Sequence, residues 1–140
     1  MMIDIRNFLA KDLTAGREFS IEAKVMLWLN AGSGTVLAVT PTHFAIEGKI
    51  QVVGVERPLS VQLSLGEPAL DEKGVVTGPC TLRLGPEADG QAVYRVEGEE
   101  LVLLGEVDGK TVRVALKPDG KRTLVSLDGE RKAHLRLTAG

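Results

Sequence analysis

The sequence predicts an all-β domain: an antiparallel barrel of about 8–10 strands, or a two-sheet sandwich, behind a short N-terminal helix. Three observations carry this. From Phe19 to Leu137, apolar residues recur at every second position in one segment after another, the period of an extended strand with one buried face. Asp-Gly pairs punctuate the second half at 89–90, 108–109, 119–120 and 128–129, a spacing suited to short hairpins. Helical periodicity is confined to the start of the chain.

Residues 1–16 are predicted to form the helix and its lead-in. Ile5, Leu9 and Leu13 recur every four residues with Phe8 beside them, an apolar stripe on about two or three helical turns. A helix so short is marginal alone, so it must dock on an open end of the β-structure. Ala15-Gly16 supplies the stop.

Residues 17–85 make a half built from long strands. Phe19, Ile21, Ala23, Val25, Leu27 and Leu29 alternate with other residues, which predicts one long strand. Asn30-Ala31-Gly32-Ser33-Gly34 reads as a turn. Phe44, Ile46, Gly48, Ile50 and Val52 share the next inward face, and Gly54 and Pro58 break that run. Val61, Leu63 and Leu65 follow, then a polar connection from Gly66 to Gly74, then Cys80, Leu82 and Leu84.

Residues 90–138 are predicted to be a five-stranded antiparallel meander turning at the Asp-Gly pairs and at Glu97-Gly98-Glu99. Leu101 to Leu104 is apolar on both faces, so this strand belongs in a central or covered position. Gly85 to Gly90 is the candidate boundary between the halves. Each half is small for an independent core, so residues 1–140 are expected to form one domain.

The composition narrows the function classes. With 44% apolar and 26% charged residues the chain is ordinary globular protein rather than disordered. Aromatics are only 4%, which gives an aliphatic core and disfavours a base-stacking surface, so nucleic acid is not an expected partner. A single cysteine, Cys80, excludes an intramolecular disulfide and a thiolate zinc cage. No stretch reaches the ~18 apolar residues of a membrane span. Asp4, Arg6, Lys11 and Asp12 interrupt any signal-like run, so a cytoplasmic location is expected. Net charge is −2 but uneven: Lys110 to Arg136 carries eight Lys/Arg against three acids.

Catalysis needs an activated nucleophile beside a base. Ser33 lacks the spacing of a nucleophile elbow. Cys80 shares parity with Leu82 and Leu84 and reads as core. His43 and His134 sit on outward faces with charged neighbours, and Glu97, Glu99 and Glu100 cluster at a solvated turn. No enzyme activity, cofactor or metal is expected. Met26, Trp28, Arg113, Lys132 and Arg136 are the candidate interaction surface, the basic ones either attracting anions or pairing across strands, as Arg113 with Glu106.

The segment Phe44-Ala-Ile-Glu-Gly-Lys-Ile-Gln-Val-Val-Gly-Val-Glu-Arg-Pro-Leu-Ser-Val-Gln-Leu63 has two glycines six residues apart, with Pro58 four after Gly54. It resembles the central signature of the YceI-like family, and the likeness continues in outline to Leu84. The resemblance implies a lipocalin-like barrel that binds a long isoprenoid-type lipid in its interior. It also implies an apolar ligand cavity lined by Phe19, Ile21, Phe44, Ile46 and Ile50.

The first expectation is therefore a non-catalytic binding protein holding an apolar small molecule. The alternative is a structural or interaction module with a solid core, acting as a homo-oligomer or through partner contacts.

Overall fold

The structure is a computed structural model; it describes residues 2–85, 88–107 and 109–140, and all their side chains except those of Val52, Ala88 and Asp89. A four-residue 3-10 turn (Ile5–Phe8) precedes eleven strands. These are β1 (Glu18–Lys24), β2 (Trp28–Val39), β3 (His43–Val52), β4 (Val55–Leu65), β5 (Ala69–Leu70), β6 (Val76–Leu84), β7 (Ala88–Glu97), β8 (Glu100–Val107), β9 (Lys110–Asp119), β10 (Arg122–Asp128) and β11 (Lys132–Ala139).

Ten of them close into an antiparallel barrel. Chain neighbours pair around the wall, β4 pairs with β6, and β1 pairs with β11 to seal the seam. The two-residue β5 lies outside that circuit, paired only with β6. Closure gives every strand of the wall a partner on both sides, whereas a sandwich would retain edge strands.

The predicted long strand is in fact a hairpin. Its alternation runs on through Val25-Met26-Leu27, but the chain reverses there, with Lys24 opposite Trp28 and the Val25 N–H donating to the Leu27 carbonyl at 3.1 Å. No Gly, Pro, Asn or Asp marks this turn, so periodicity alone passes straight through it. Conversely, Asn30 to Gly34 is not a turn but lies inside β2. Its glycines serve close approach of strands. Gly34 stands opposite Gly48, and a Cβ on Gly34 would overlap the Glu47 carbonyl and come within 2.8 Å of the Phe19 ring.

The resemblance segment forms the β3–β4 hairpin. Val52 pairs with Val55 around a two-residue loop whose residues, Val53 and Gly54, both have positive φ, the type I′ pattern. Counting from that turn, Lys49 and Pro58 form a non-hydrogen-bonded pair, so the missing Pro58 N–H costs β3 nothing. On its other side β4 meets β6 only from Val61 onward.

The C-terminal meander has its five strands, β7 to β11, but its turns sit differently. Asp89-Gly90 lies within β7, opposite Arg83 and Leu82. Of the predicted boundary, Pro86 and Glu87 lie outside the described residues, as does Asp108 of the next pair. The Glu97–Glu100 and Asp119–Arg122 hairpins place Gly98 and Gly120 first in two-residue loops, and only that first residue has positive φ. That is the type II′ pattern; in the second hairpin Asp119 is the last paired residue of its strand, so Asp-Gly does not form the loop itself, as it does in a type I′ turn. Asp128 closes a three-residue loop against Lys132. In β8, Leu101 and Leu103 face inward, and Val102 is buried on the other face with Arg95 and Ala115 opposite it.

The N-terminal helix is shorter than its apolar spacing suggests. Asp4 caps the turn by accepting from the Arg6 N–H, and Leu9 is already extended. Ile5, Phe8, Leu9, Ala10 and Leu13 are nonetheless all buried. The segment is pinned across one end of the barrel: the Ile5 N–H donates to the Pro41 carbonyl at 2.8 Å, and the Ala10 N–H to Thr123 Oγ1 at 2.8 Å. Apolar side chains every four residues here satisfy a plug rather than a helix face.

Candidate functional site

The barrel has a closed end and an open end. At the closed end lie the plug, the β2–β3 loop at Pro41 and the start of β10. Aromatic rings gather there. Phe19 packs against Gly34 near the start of β1, and buried Tyr94 donates its hydroxyl to the Gly66 carbonyl at 2.8 Å while its ring occupies the space above Gly78. Towards the other end the inward residues are aliphatic. Ile50, Leu59, Val112, Leu127 and Leu135 are only half-buried, and Leu84 is exposed.

Between plug and mouth is a cavity of about 220 Å³. Leu9 of the plug lines it together with Ile21, Phe44, Leu103, Val114 and Leu137 from around the wall, among others. Thr123 contributes the one hydroxyl in the lining, and that oxygen already accepts the Ala10 N–H. Among the described residues, no titratable side chain lines the space. The chemistry on offer is therefore dispersion and removal of apolar surface from water, with no hydrogen bond to orient a guest.

Four of the residues assigned to the cavity line it: Ile21, Phe44, Ile46 and Ile50. Phe19 does not. It is buried at the closed end, because Gly34 leaves room there for its ring. The wall contributed by β9, β10 and β11 was missing from the assignment. Val114, Leu116, Leu135 and Leu137 carry the right inward parity, but period-two alternation says which face is buried and not which residues border a space.

Of the candidate interaction residues, the structure brings Arg136 and Trp28 together and sets Arg113 apart from them, paired with Glu97. Arg136 is held by Glu22 through two 2.9 Å hydrogen bonds, and its guanidinium lies 4.3 Å over the Trp28 ring. The Arg136 guanidinium hydrogen-bonded to Glu22 lowers the Glu22 carboxyl below its ordinary value. Arg113 reaches Glu97 at 3.5 Å rather than Glu106, which stands opposite Thr111. Lys110 pairs with Glu130 at 3.0 Å, so three basic residues of the C-terminal segment, Lys110, Arg113 and Arg136, are engaged in ion pairs. Lys132 is exposed near the mouth, and Met26 is exposed at the β1–β2 tip.

The remaining reactive groups lie apart from the cavity. His43 Nδ1 is 2.8 Å from Ser64 Oγ on β4, and His134 Nδ1 is 3.3 Å from Ser126 Oγ on β10. Cys80 is buried, and burial pushes its thiol up to about 11, away from the thiolate that reactivity needs.

The plug depends on one buried hydrogen bond. Thr123→Val keeps the shape but leaves the Ala10 N–H without its acceptor, at a cost of about 1–3 kcal/mol. Calorimetry is expected to show melting several degrees lower for Thr123→Val and nearly unchanged for Thr123→Ser; equal melting of all three proteins would show that the plug is held otherwise.

No protein-family model matches the chain, and neither any curated protein nor any solved structure matches it.

Proposed function

We propose that this chain is a non-catalytic binding protein whose barrel holds an apolar, isoprenoid-like small molecule. One observation carries the reading: a cavity plugged at one end, lined almost wholly by hydrocarbon, with its only hydroxyl oxygen already hydrogen-bonded. Such a space favours a guest that makes no polar demand.

Size limits the guest. An apolar cavity of ~150 Å³ takes up benzene, whereas drug-sized ligands use ~300 Å³ or more. At about 220 Å³ the interior suits a short hydrocarbon or the end of a longer one. A long isoprenoid, the ligand suggested by the YceI-like likeness of residues 44–63, would leave most of its length outside the mouth. The same space disfavours a solid-core assembly module, because a core that left it unfilled would forgo ~5 kcal/mol at about 24 cal/mol per Å³.

Two measurements test this. Fluorobenzene followed by ¹⁹F NMR is expected to bind saturably, one molecule per chain, and at a hundredfold excess over Kd to raise stability by ~2.7 kcal/mol. Organic extraction of protein from its native host, followed by mass spectrometry, is expected to recover a stoichiometric apolar compound. A clean extract together with non-saturable fluorobenzene signals would sink the proposal.

A further inference from the structure

We propose that the two hairpin tips beside the open mouth dock the protein on the surface of an anionic lipid bilayer. The β1–β2 tip carries Val25, Met26 and Leu27 at 76%, 89% and 73% exposure, with Leu29 behind them at 53%. The β3–β4 tip carries Val53 at 86% and Val55 at 54%. Hairpin tips normally carry Gly, Asn, Asp or Ser, so bulky aliphatic residues in that position need a reason.

Both tips lie at the same end of the barrel and on neighbouring strands. Gly32 of β2 stands opposite Ile50 of β3, the last pair before β2 leads back to one turn and β3 on to the other. Ile50 also lines the cavity, so the exposed apolar surface continues into the mouth.

The surroundings indicate which partner fits. Neither tip contains an acid. Lys24, Lys49 and Arg57 stand just behind the tips and are exposed. Of the four acids on these two hairpins, Glu18 and Glu47 both stand opposite Thr35, away from the tips, and Glu22 is already paired with Arg136, which leaves Glu56 near the tips. The neighbouring β10–β11 hairpin adds exposed Arg131 and Lys132 against Asp128 and Glu130, with Glu130 paired to Lys110. Trp28 borders the first tip. Apolar residues outermost, then Trp and Lys, is the order a membrane interface favours. A second copy of the chain suits the surface less well. Stable protein interfaces use about 20–30 residues a side on matching surfaces, whereas six side chains on two convex turns offer far less. A bilayer needs no shape match.

Docking would set the mouth against the hydrocarbon layer, so an apolar guest could pass between membrane and barrel without crossing water. That purpose rests on the proposed binding function; the docking does not. The test uses the purified full chain without added ligand and vesicles of phosphatidylcholine with phosphatidylglycerol. Wild type is expected to co-sediment with the vesicles and to shift the emission of Trp28, the only tryptophan, to the blue. Met26→Asp/Leu27→Asp, and separately Val53→Asp, are expected to weaken vesicle affinity at least ~10-fold while melting and fluorobenzene uptake stay unchanged. Absent co-sedimentation of wild type, equal affinity of wild type and tip variants, or a wild-type dimer that Met26→Asp dissolves would each overturn the docking. Vesicle binding without fluorobenzene uptake would leave docking standing and count against the cavity reading alone.

Discussion

Val114→Phe is expected to hold or raise the melting temperature while removing fluorobenzene binding. Val114 faces the cavity from the middle of β9, with Leu103 beside it in the lining. In a solid core, added bulk at this position forces strain of about 1–3 kcal/mol, which lowers melting by several degrees. In a barrel with about 220 Å³ of interior space, the ring moves into that space and gains contacts. The sign of the melting shift therefore separates the two views before any ligand is identified. Calorimetry and ¹⁹F titration on one sample suffice. Lowered melting with binding retained would mean that the space does not accept a side chain and that uptake occurs elsewhere.

Gly48→Ala is the second large effect, and it concerns the wall. A Cβ on Gly48 would collide with the Ser33 carbonyl and the Gly34 Cα, both backbone atoms that cannot swing aside. Gly34 stands opposite it, so the seam between β2 and β3 has no side chain on either strand at this point. The variant is expected to lose ~3 kcal/mol or more, a drop in melting of roughly 10 °C or failure to accumulate as folded protein. Gly54→Asn is the control: it lies in the I′ turn, where nothing stands within 4 Å of an added Cβ and Asn tolerates positive φ. Similar stability of the Gly48 and Gly54 variants would show that the wall relaxes around the methyl group.

The failures of sequence reading share a cause. Alternation reports the side of a strand, and it continues unbroken through a hairpin tip made of Val25, Met26 and Leu27. Glycine reports permissiveness without saying why it is needed. At Gly54 it supplies positive φ, while at Gly34 and Gly48 it supplies room, and the letters are the same. The plug shows a third ambiguity. Ile5, Leu9 and Leu13 are buried as their spacing demands, but a short segment lying across a barrel end buries the same positions without a helix.

What the chain's order of residues determined on its own was local and one-dimensional. Strand sidedness, the five-strand meander, the aliphatic character of the interior and the core position of Cys80 all follow from burial acting on period-two segments. Closure, the plugged end, the position of the cavity and the place of Val25 to Leu27 beside its mouth belong to the tertiary structure. These depend on which segments meet. β1 and β11 are at opposite ends of the chain, as are Ala10 and Thr123, and no local preference of either partner encodes the meeting.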